Sequence, residues 1–265
     1  ITTSGGNVDI TAGNDITASS SGEVNTVGDM NGEDGGNSTW LAGRNIISDD
    51  ITTSGAAGTV TGGNAGTITL DASVSVANSS VRLNGDLTAR GGVGPTQGNG
   101  SDLTIDDRVL VGTDVDGAEP ATIMDDIEVS TSGNTAGNIS FLNTVDGLAA
   151  DSNDLTLRAE GAATAGNVTF SSALGATAAI RDLSIDHAND VNFMSTVNLA
   201  GLNQLAGTGT TTFTNNVSAV PLAVNTIHQF DGAAAVNSGT DQITLTAHGF
   251  LTGDTVIYEN GAGDA

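Results

Sequence analysis

Three pairs of adjacent aspartates, Asp49-Asp50, Asp106-Asp107 and Asp125-Asp126, are the residues best suited by type to chemistry. Paired carboxylates can divide general acid and base work, as in enzymes that cleave polysaccharides. Such sites also need a cation to hold an acidic sugar and aromatic rings to stack on it. This chain has no Lys and few aromatics, so the pairs read instead as strand starters, with each Asp bonding its own backbone after a turn. A second candidate is "DMNGEDGG", where Asp29, Asn31, Glu33 and Asp34 place oxygen ligands close together in a loop, the donor set calcium takes. The EF-hand pattern fails there, because its glycine position is Asp34 and its glutamate position is Trp40. The expectation is therefore a chain with no cofactor, with calcium at this loop as the one metal to test.

Other chemistry is excluded by composition. There is no Cys, which removes thiol catalysis, disulfides and Cys-ligated zinc. His187, His228 and His248 are too scattered for a zinc site, and no "GxSxG" elbow or phosphate loop occurs. Against 31 Asp and Glu stand six Arg, for a net charge of −25. Such a surface repels phosphate backbones and anionic lipid, so nucleic acid and direct membrane insertion are not expected. No apolar run approaches the ~20 residues of a spanning helix.

The elements that must carry these residues are strands. The chain has 37 Gly and eight aromatics (6 Phe, 1 Tyr, 1 Trp), and is filled with Thr, Ser, Asn, Asp, Val and Ile, residues of strands and turns. Short apolar-polar-apolar segments recur, ending or centred at Leu70, Ile105, Phe141, Phe170, Phe193 and Phe213, spaced 35, 36, 29, 23 and 20 residues apart. A second series, out of phase with the first, begins at Asp50, Asp86, Asp126, Asp154 and Asp182. "GGNVDITAGNDI" from Gly5 also aligns with "GGNSTWLAGRNI" from Gly35, and "ITTSG" occurs at Ile1 and Ile51.

Units this short cannot bury an apolar face alone, and stacking them does. The pattern predicts an all-β fold, a β-solenoid of seven or eight coils over residues 1–220, with Leu70, Ile105, Phe141, Phe170, Phe193 and Phe213 forming one inward ladder. Segments 20–36, 91–100 and 112–120 are expected as turns projecting from the coils. Residues 221–265 read as a separate small β module. Its "QITLTAHGFLTGDTVIYENG" gives two alternating strands around a Gly-containing turn, a β-hairpin, and Ile243, Leu245, Val256 and Tyr258 are the residues expected to mediate assembly.

"GNAGTITLDASVSV", "NDLTLRAEGAATAGNVTF" and "DLSIDHANDVNF" resemble the coils of filamentous-haemagglutinin-like exoproteins, large repetitive bacterial surface adhesins. The resemblance covers roughly residues 1–220 and implies a right-handed parallel β-helix. "DQITLTAHGFLTGDTVIYENGAG" is similar to a module repeated in very long bacterial surface proteins, matching it at Asp241, Ile243, Leu245, His248, Gly249, Thr252, Gly253, Asp254, Val256, Tyr258, Asn260 and Gly261. The module would continue beyond Ala265, which suggests a fragment, a cleavage point or completion by a partner. Together the resemblances imply export to the cell surface or extracellular space. The expected function is that of a non-enzymatic structural or adhesive segment whose partner is itself or a host or cell-surface ligand. The alternative is a self-assembling filament subunit joined head-to-tail by strand addition. A polysaccharide-acting β-helix enzyme is the third reading.

Overall fold

The computed structural model describes residues 1–18, 22–72, 79–112, 127–150 and 153–218, with backbone alone for Leu222–Val224, Val236–Asn237 and Gln242–Ile243. The described residues contain no helix, and their strands are short. The chain divides into two compact units, Ile1–Thr226 and Ile227–Ala265.

The first unit has three long parallel sheets and a small fourth one, Gly133–Thr135 paired with Gly161–Thr164, an arrangement that fits a parallel β-solenoid. One sheet takes its strands in the order Val8–Ala12, Ser38–Ala42, Ile68–Asp71, Leu103–Asp106, Ile139–Phe141, Val168–Phe170, Val191–Phe193 and Thr211–Phe213. Each is one turn of chain after the last. The second sheet runs from Ile16–Thr17 through Asn45–Ser48, Ser80–Leu83 and Val109–Val111 to Val145–Gly147. It continues as single bridges from Val145 to Leu174 and from Leu174 to Val197. The third runs from Val24–Asn25 through Ile51–Thr52, Leu87–Thr88, Ile127–Ser130 and Leu155–Arg158 to Ile180–His187 and Val197–Gln204.

Strand alternation puts every second residue inside. Register then stacks equivalent residues of successive coils. In the first sheet Ile10, Trp40, Leu70, Ile105, Phe141, Phe170, Phe193 and Phe213 stand in one file. The four Phe rings stack with centroids 4.9, 5.1 and 4.8 Å apart and planes within 7°. That separation is the distance between hydrogen-bonded strands, so the backbone ladder sets the ring spacing. Trp40 occupies the same file two coils before Ile105, and its indole N–H donates to the Ser38 hydroxyl at 3.0 Å inside the core. Parallel files of Ile46, Val81, Val109 and Val145, and of Ile51, Leu87, Val129, Leu157 and Ile185, complete a continuous apolar interior.

Coils shorten towards the C-terminal end for two visible reasons. The connection between the second and third sheets shortens to residues 175–179 between Leu174 and Ile180, and in the next coil it disappears, so that Val197–Gln204 runs through both files as one eight-residue strand. The loop that leaves the third sheet also shrinks. Its neck is closed in successive coils by backbone bonds Gly36→Thr26, Gly66→Thr53, Ser101→Ala89, Gly137→Thr131 and Gly166→Ala159. The loop between these necks is long in the first three coils and only a few residues in the next two.

In the second unit Val236–Asn237 pairs antiparallel with Gln242–Ile243. The sequence pattern paired the strand at Gln242 with the downstream segment through Tyr258. The described pairing is with the upstream segment, and residues 244–265 lie outside the described residues.

Candidate functional site

The sites foreseen from residue type are best followed through the hydrogen bonds of the Asn and Asp side chains. A few accept from backbone close by in sequence, as turn chemistry predicts: Asn25 from the Val27 N–H, Asp107 from that of Arg108 and Asn143 from that of Thr144. Most reach the backbone of the next coil. Before the first sheet, the Oδ1 atoms of Asn7, Asn37, Asp102, Asn138, Asn167 and Asp190 accept from the N–H of Asn37, Thr67, Asn138, Asn167, Asp190 and Thr210, at 2.7–3.0 Å. Thr67 interrupts the file because its side chain has no carbonyl. Before the third sheet, Asp50 accepts from the N–H of Asp86 and Asp86 from that of Glu128, at 2.8 and 2.7 Å. Asp154 accepts from the N–H of Asp182 at 3.2 Å. In a solenoid a turn between sheets leaves strand-entry N–H groups without a ladder partner, and a short side-chain carbonyl one coil away supplies it. The sequence showed the period of the Asp series before the third sheet; the matching Asn and Asp series before the first sheet, with the same coil period, is the signal it left unread.

The aspartate pairs are accounted for in this way. Asp49 accepts from the Gly22 N–H at 3.0 Å while Asp50 serves the next coil. Asp106 sits on the outer face of the first sheet in register with Asp71. Asp107 is buried, accepts from the Ser79 hydroxyl and from the Arg108 N–H, and is the one described non-glycine residue with a left-handed φ, at 136°. It thus keeps the own-backbone bond that Asp50 does not. Asp125 and Asp126 lie outside the described residues. Neither of the two described pairs faces a partner across a cleft.

The four oxygen-bearing residues of the calcium reading come from one loop but point to different tasks. Glu33 Oε2 accepts from the N–H groups of Asp29 and Met30, both at 3.2 Å. Asn31 Oδ1 accepts from the Thr59 N–H at 2.6 Å and its Nδ2 donates to the Thr59 hydroxyl at 3.2 Å. Asp34 Oδ1 accepts from the Asn64 N–H at 2.6 Å. The Ser4 hydroxyl beside Asp29, followed by Glu33, holds the Asp29 carboxyl below the usual carboxylate range. Among the described residues no group of three or more His, Asp or Glu is placed to hold a metal. The structure gives these side chains a loop to fix rather than a shared centre.

What they fix is a flange. Its loops, residues 27–35, 54–65 and 90–100, stack on one another through interleaved backbone bonds. Ala56 donates to Glu33 O, Gly63 to Ala56 O, Gly92 to Gly63 O and Gly98 to Gly92 O, at 2.8–2.9 Å. An Asx file runs along it too, from Asp34 to Asn64, from Asn64 to Asn99 and from Asn99 to Thr135. The packing is close enough that a Cβ on Gly63 would lie 1.8 Å from Glu33 O. Glycine is required there by contact, not by φ. Buried hydroxyls seal the necks: Thr26, Thr53 and Thr131 donate to the carbonyls of Gly36, Gly66 and Gly137 at 2.5–2.7 Å. Of residues 20–36, expected to project, Val24–Asn25 is instead a strand of the third sheet and 27–35 lie in the flange, as do 91–100; 54–65, read as coil, belongs to the same flange. Of segment 112–120, only Gly112 lies within the described residues.

The cations are committed to neighbouring strands and turns. Arg44 pairs with Asp15, Arg90 with Glu128, Arg108 with buried Asp146, Arg158 with Asp186 and Glu160, and Arg181 with Asp154. Arg82 Nε donates to Gly112 O at 3.2 Å. The Arg44 guanidinium holds the Asp15 carboxyl below its ordinary range. Crowding by surrounding chain, reinforced by the carboxylates of Asp50 and Glu128, holds Asp86 above its own. One shallow groove of about 290 Å³ lies on the outside of the second sheet between Asp15, Ile47, Arg82, Leu110 and Leu148.

Of the residues expected to mediate assembly, Ile243 lies in the short antiparallel pair, and Leu245, Val256 and Tyr258 lie outside the described residues. His187 closes the strand Ile180–His187 next to Arg158 in register, and the other two histidines are outside the described residues. Among the described residues no helix is long and apolar enough to cross a membrane. Compared with models of protein families, with curated proteins and with solved structures, the chain matches none.

Proposed function

We propose that this chain is a non-enzymatic structural and adhesive segment of an exported bacterial surface protein, built as a right-handed parallel β-helix. The observation that carries the reading is the continuity of the ladders. Three long parallel sheets, an apolar core and files of Asn and Asp run through the first unit, so each coil is held by the two beside it. A body of this kind resists bending and presents long faces to its surroundings, which suits a stalk or an adhesive surface. The right hand is supported by the general chirality of parallel crossovers. The repeat style of the sequence supports export.

The test is surface labelling with an antibody to residues 37–218, on intact cells that make the protein, together with electron microscopy of the purified chain. Label on unbroken cells and rods of about 35–40 Å for the eight rungs of the first sheet are expected. Label seen only after the cells are opened would overturn the reading.

A second reading, head-to-tail assembly into a filament, is favoured by one observation. Ile1–Gly5 adds a further rung beneath the third sheet, through Asn25 N–H to Ile1 O at 2.8 Å, Thr3 N–H to Asn25 O at 2.8 Å and Gly5 N–H to Val27 O at 3.1 Å. The first and second sheets end instead on Val8–Ala12 and Ile16–Thr17. Sheets ending on such strands can be extended in parallel by a further strand, from preceding chain or from another molecule. Growth of fibres from purified chain, seen by microscopy and by sedimentation, distinguishes this reading from an isolated stalk.

A further inference from the structure

The flange carries the three most exposed large apolar side chains among the described residues: Met30, Val60 and Val93, at 70, 73 and 66 %. They sit on three successive loops, and the loops are tied at these places. The Asn31 side chain clamps Thr59, next to Val60. Gly58 N–H donates to Val93 O at 2.8 Å, and Thr96 N–H to Val60 O at 3.0 Å. Glu33 Oε2 caps the Met30 N–H, and Gly32, at φ +74°, donates to Ala57 O at 3.0 Å. Apolar side chains held out in water on a backbone this well bonded are costly unless they are used, and a fixed tip loses little freedom when it binds.

The rim supplies the charge. Asp29, Glu33 and Asp34 share the loop that carries Met30, and segments 27–36 and 54–66 contain no Lys or Arg. The one cation of the third loop, Arg90 at its neck, is engaged by Glu128 and Ser130. We propose that the flange tip is a docking surface for a basic protein, with Met30, Val60 and Val93 entering an apolar pocket whose rim is cationic. Complementary charge selects such a partner and speeds its approach, and the apolar anchors hold it. The same carboxylates oppose an anionic membrane. This inference goes beyond the structural reading and does not depend on it. A flange that binds nothing leaves the stalk intact, and a chain found inside cells leaves the flange test unchanged.

The experiment pans a phage-displayed random peptide library against the intact chain. The same library is counter-selected on a Met30→Ser, Val60→Ser, Val93→Ser variant whose far-UV circular dichroism matches the parent. Peptides with Lys or Arg beside aliphatic or aromatic residues are expected. A synthetic copy of the most enriched one should lose at least ~10-fold in affinity on the flange variant. It should keep its affinity on a control variant with Leu41→Ser, Leu142→Ser and Met194→Ser on the outer face of the first sheet. Enrichment of peptides without net positive charge, or the absence of any flange-dependent basic peptide, would overturn the proposal. So would flange-dependent binding of the chain to phosphatidylcholine vesicles, which would make the tip a lipid anchor.

Discussion

Phe170 and Phe193 lie one coil apart with ring centroids 5.1 Å from each other and planes 5° from parallel. Their strands pair in register, Val168 with Val191 and Phe170 with Phe193, so the rings are held by the same ladder that holds the backbone. Parallel ring pairs at such separations contribute ~0.5–1.5 kcal/mol each beyond their burial. Phe170 stacks on both sides, against Phe141 and Phe193. Phe170→Ala should therefore cost roughly 3–5 kcal/mol in denaturant unfolding, and Phe170→Leu clearly less. A near-neutral Phe170→Ala would mean that the file is not a packed core.

The Asn file makes a separate prediction, readable one coil away from the substitution. Asn138 accepts from the Asn167 N–H at 3.0 Å. Asn138→Ala removes that acceptor and should cost about 1 kcal/mol. The Asn167 amide should exchange its hydrogen faster, while amides inside the strand Val168–Phe170 keep their protection. Asn138→Asp retains the acceptor oxygen and should leave Asn167 protected. Equal exchange at Asn167 in all three proteins would count against a coil-to-coil role.

At the necks of the loops that leave the third sheet, glycine is demanded by contact. A Cβ on Gly166 would lie 1.9 Å from the Gly137 carbonyl oxygen, whereas one on Gly13 meets nothing within 4 Å. Gly166→Ala should lower stability by more than ~2 kcal/mol, in the range of severe core substitutions, and Gly13→Ala should be close to neutral. Thermal unfolding of the two variants side by side checks the contrast, and equal melting temperatures would refute it.

Acidity should act in opposite senses at two places. Asp86 is held above its ordinary pKa by surrounding chain and by the neighbouring carboxylates of Asp50 and Glu128. A carboxyl whose folded pKa is raised favours folding at low pH, below its unfolded value, and loses that contribution as pH rises through the folded pKa. Asp86→Asn keeps the acceptor for Glu128 N–H and removes the charge, so it should raise the melting temperature at pH 7 and change it little at pH 3. Asp15 behaves in reverse. Arg44 lowers its pKa, so its contribution is present above the unfolded carboxylate value and fades as pH falls. Asp15→Asn should lower the melting temperature at pH 7 and leave it unchanged in acid. Parallel melting curves across this range decide both signs.

Much of the coil architecture could be read from residue order because a solenoid repeats itself locally. The apolar-polar-apolar triplets at Ile68–Leu70, Leu103–Ile105, Ile139–Phe141 and Val168–Phe170 carry their own inside-outside alternation. Their spacing states that the chain returns to the same place. The Asp-led series at Asp50, Asp86, Asp154 and Asp182 marked the entry to the third sheet in the same way. The flange was only partly legible. "GAAGTVTGGNAG", from Gly55 to Gly66, looks like ordinary turn composition, and only its stacking between residues 27–35 and 90–100 makes it part of a projection. The loop at Asp29–Asp34 shows the limit of reading donors by type. A carboxylate or amide oxygen can face a cation or a backbone N–H, and the chain alone does not say which N–H groups will be near.

Local pattern by itself determined the strand character, the inward file through Leu70 and Phe170, the lack of thiol chemistry and the acidic surface. Each follows from side-chain type, alternation and period, which are properties of neighbouring residues. Only the tertiary structure decided that Asn138 bonds the next coil and that Glu33 and Asn31 brace the loop carrying Met30. It also decided that Met30, Val60 and Val93 gather on one projecting flange. Those facts depend on which residues 20 to 40 positions apart are brought into register. Backbone pairing sets that register across the whole stack of coils, and no single coil contains it.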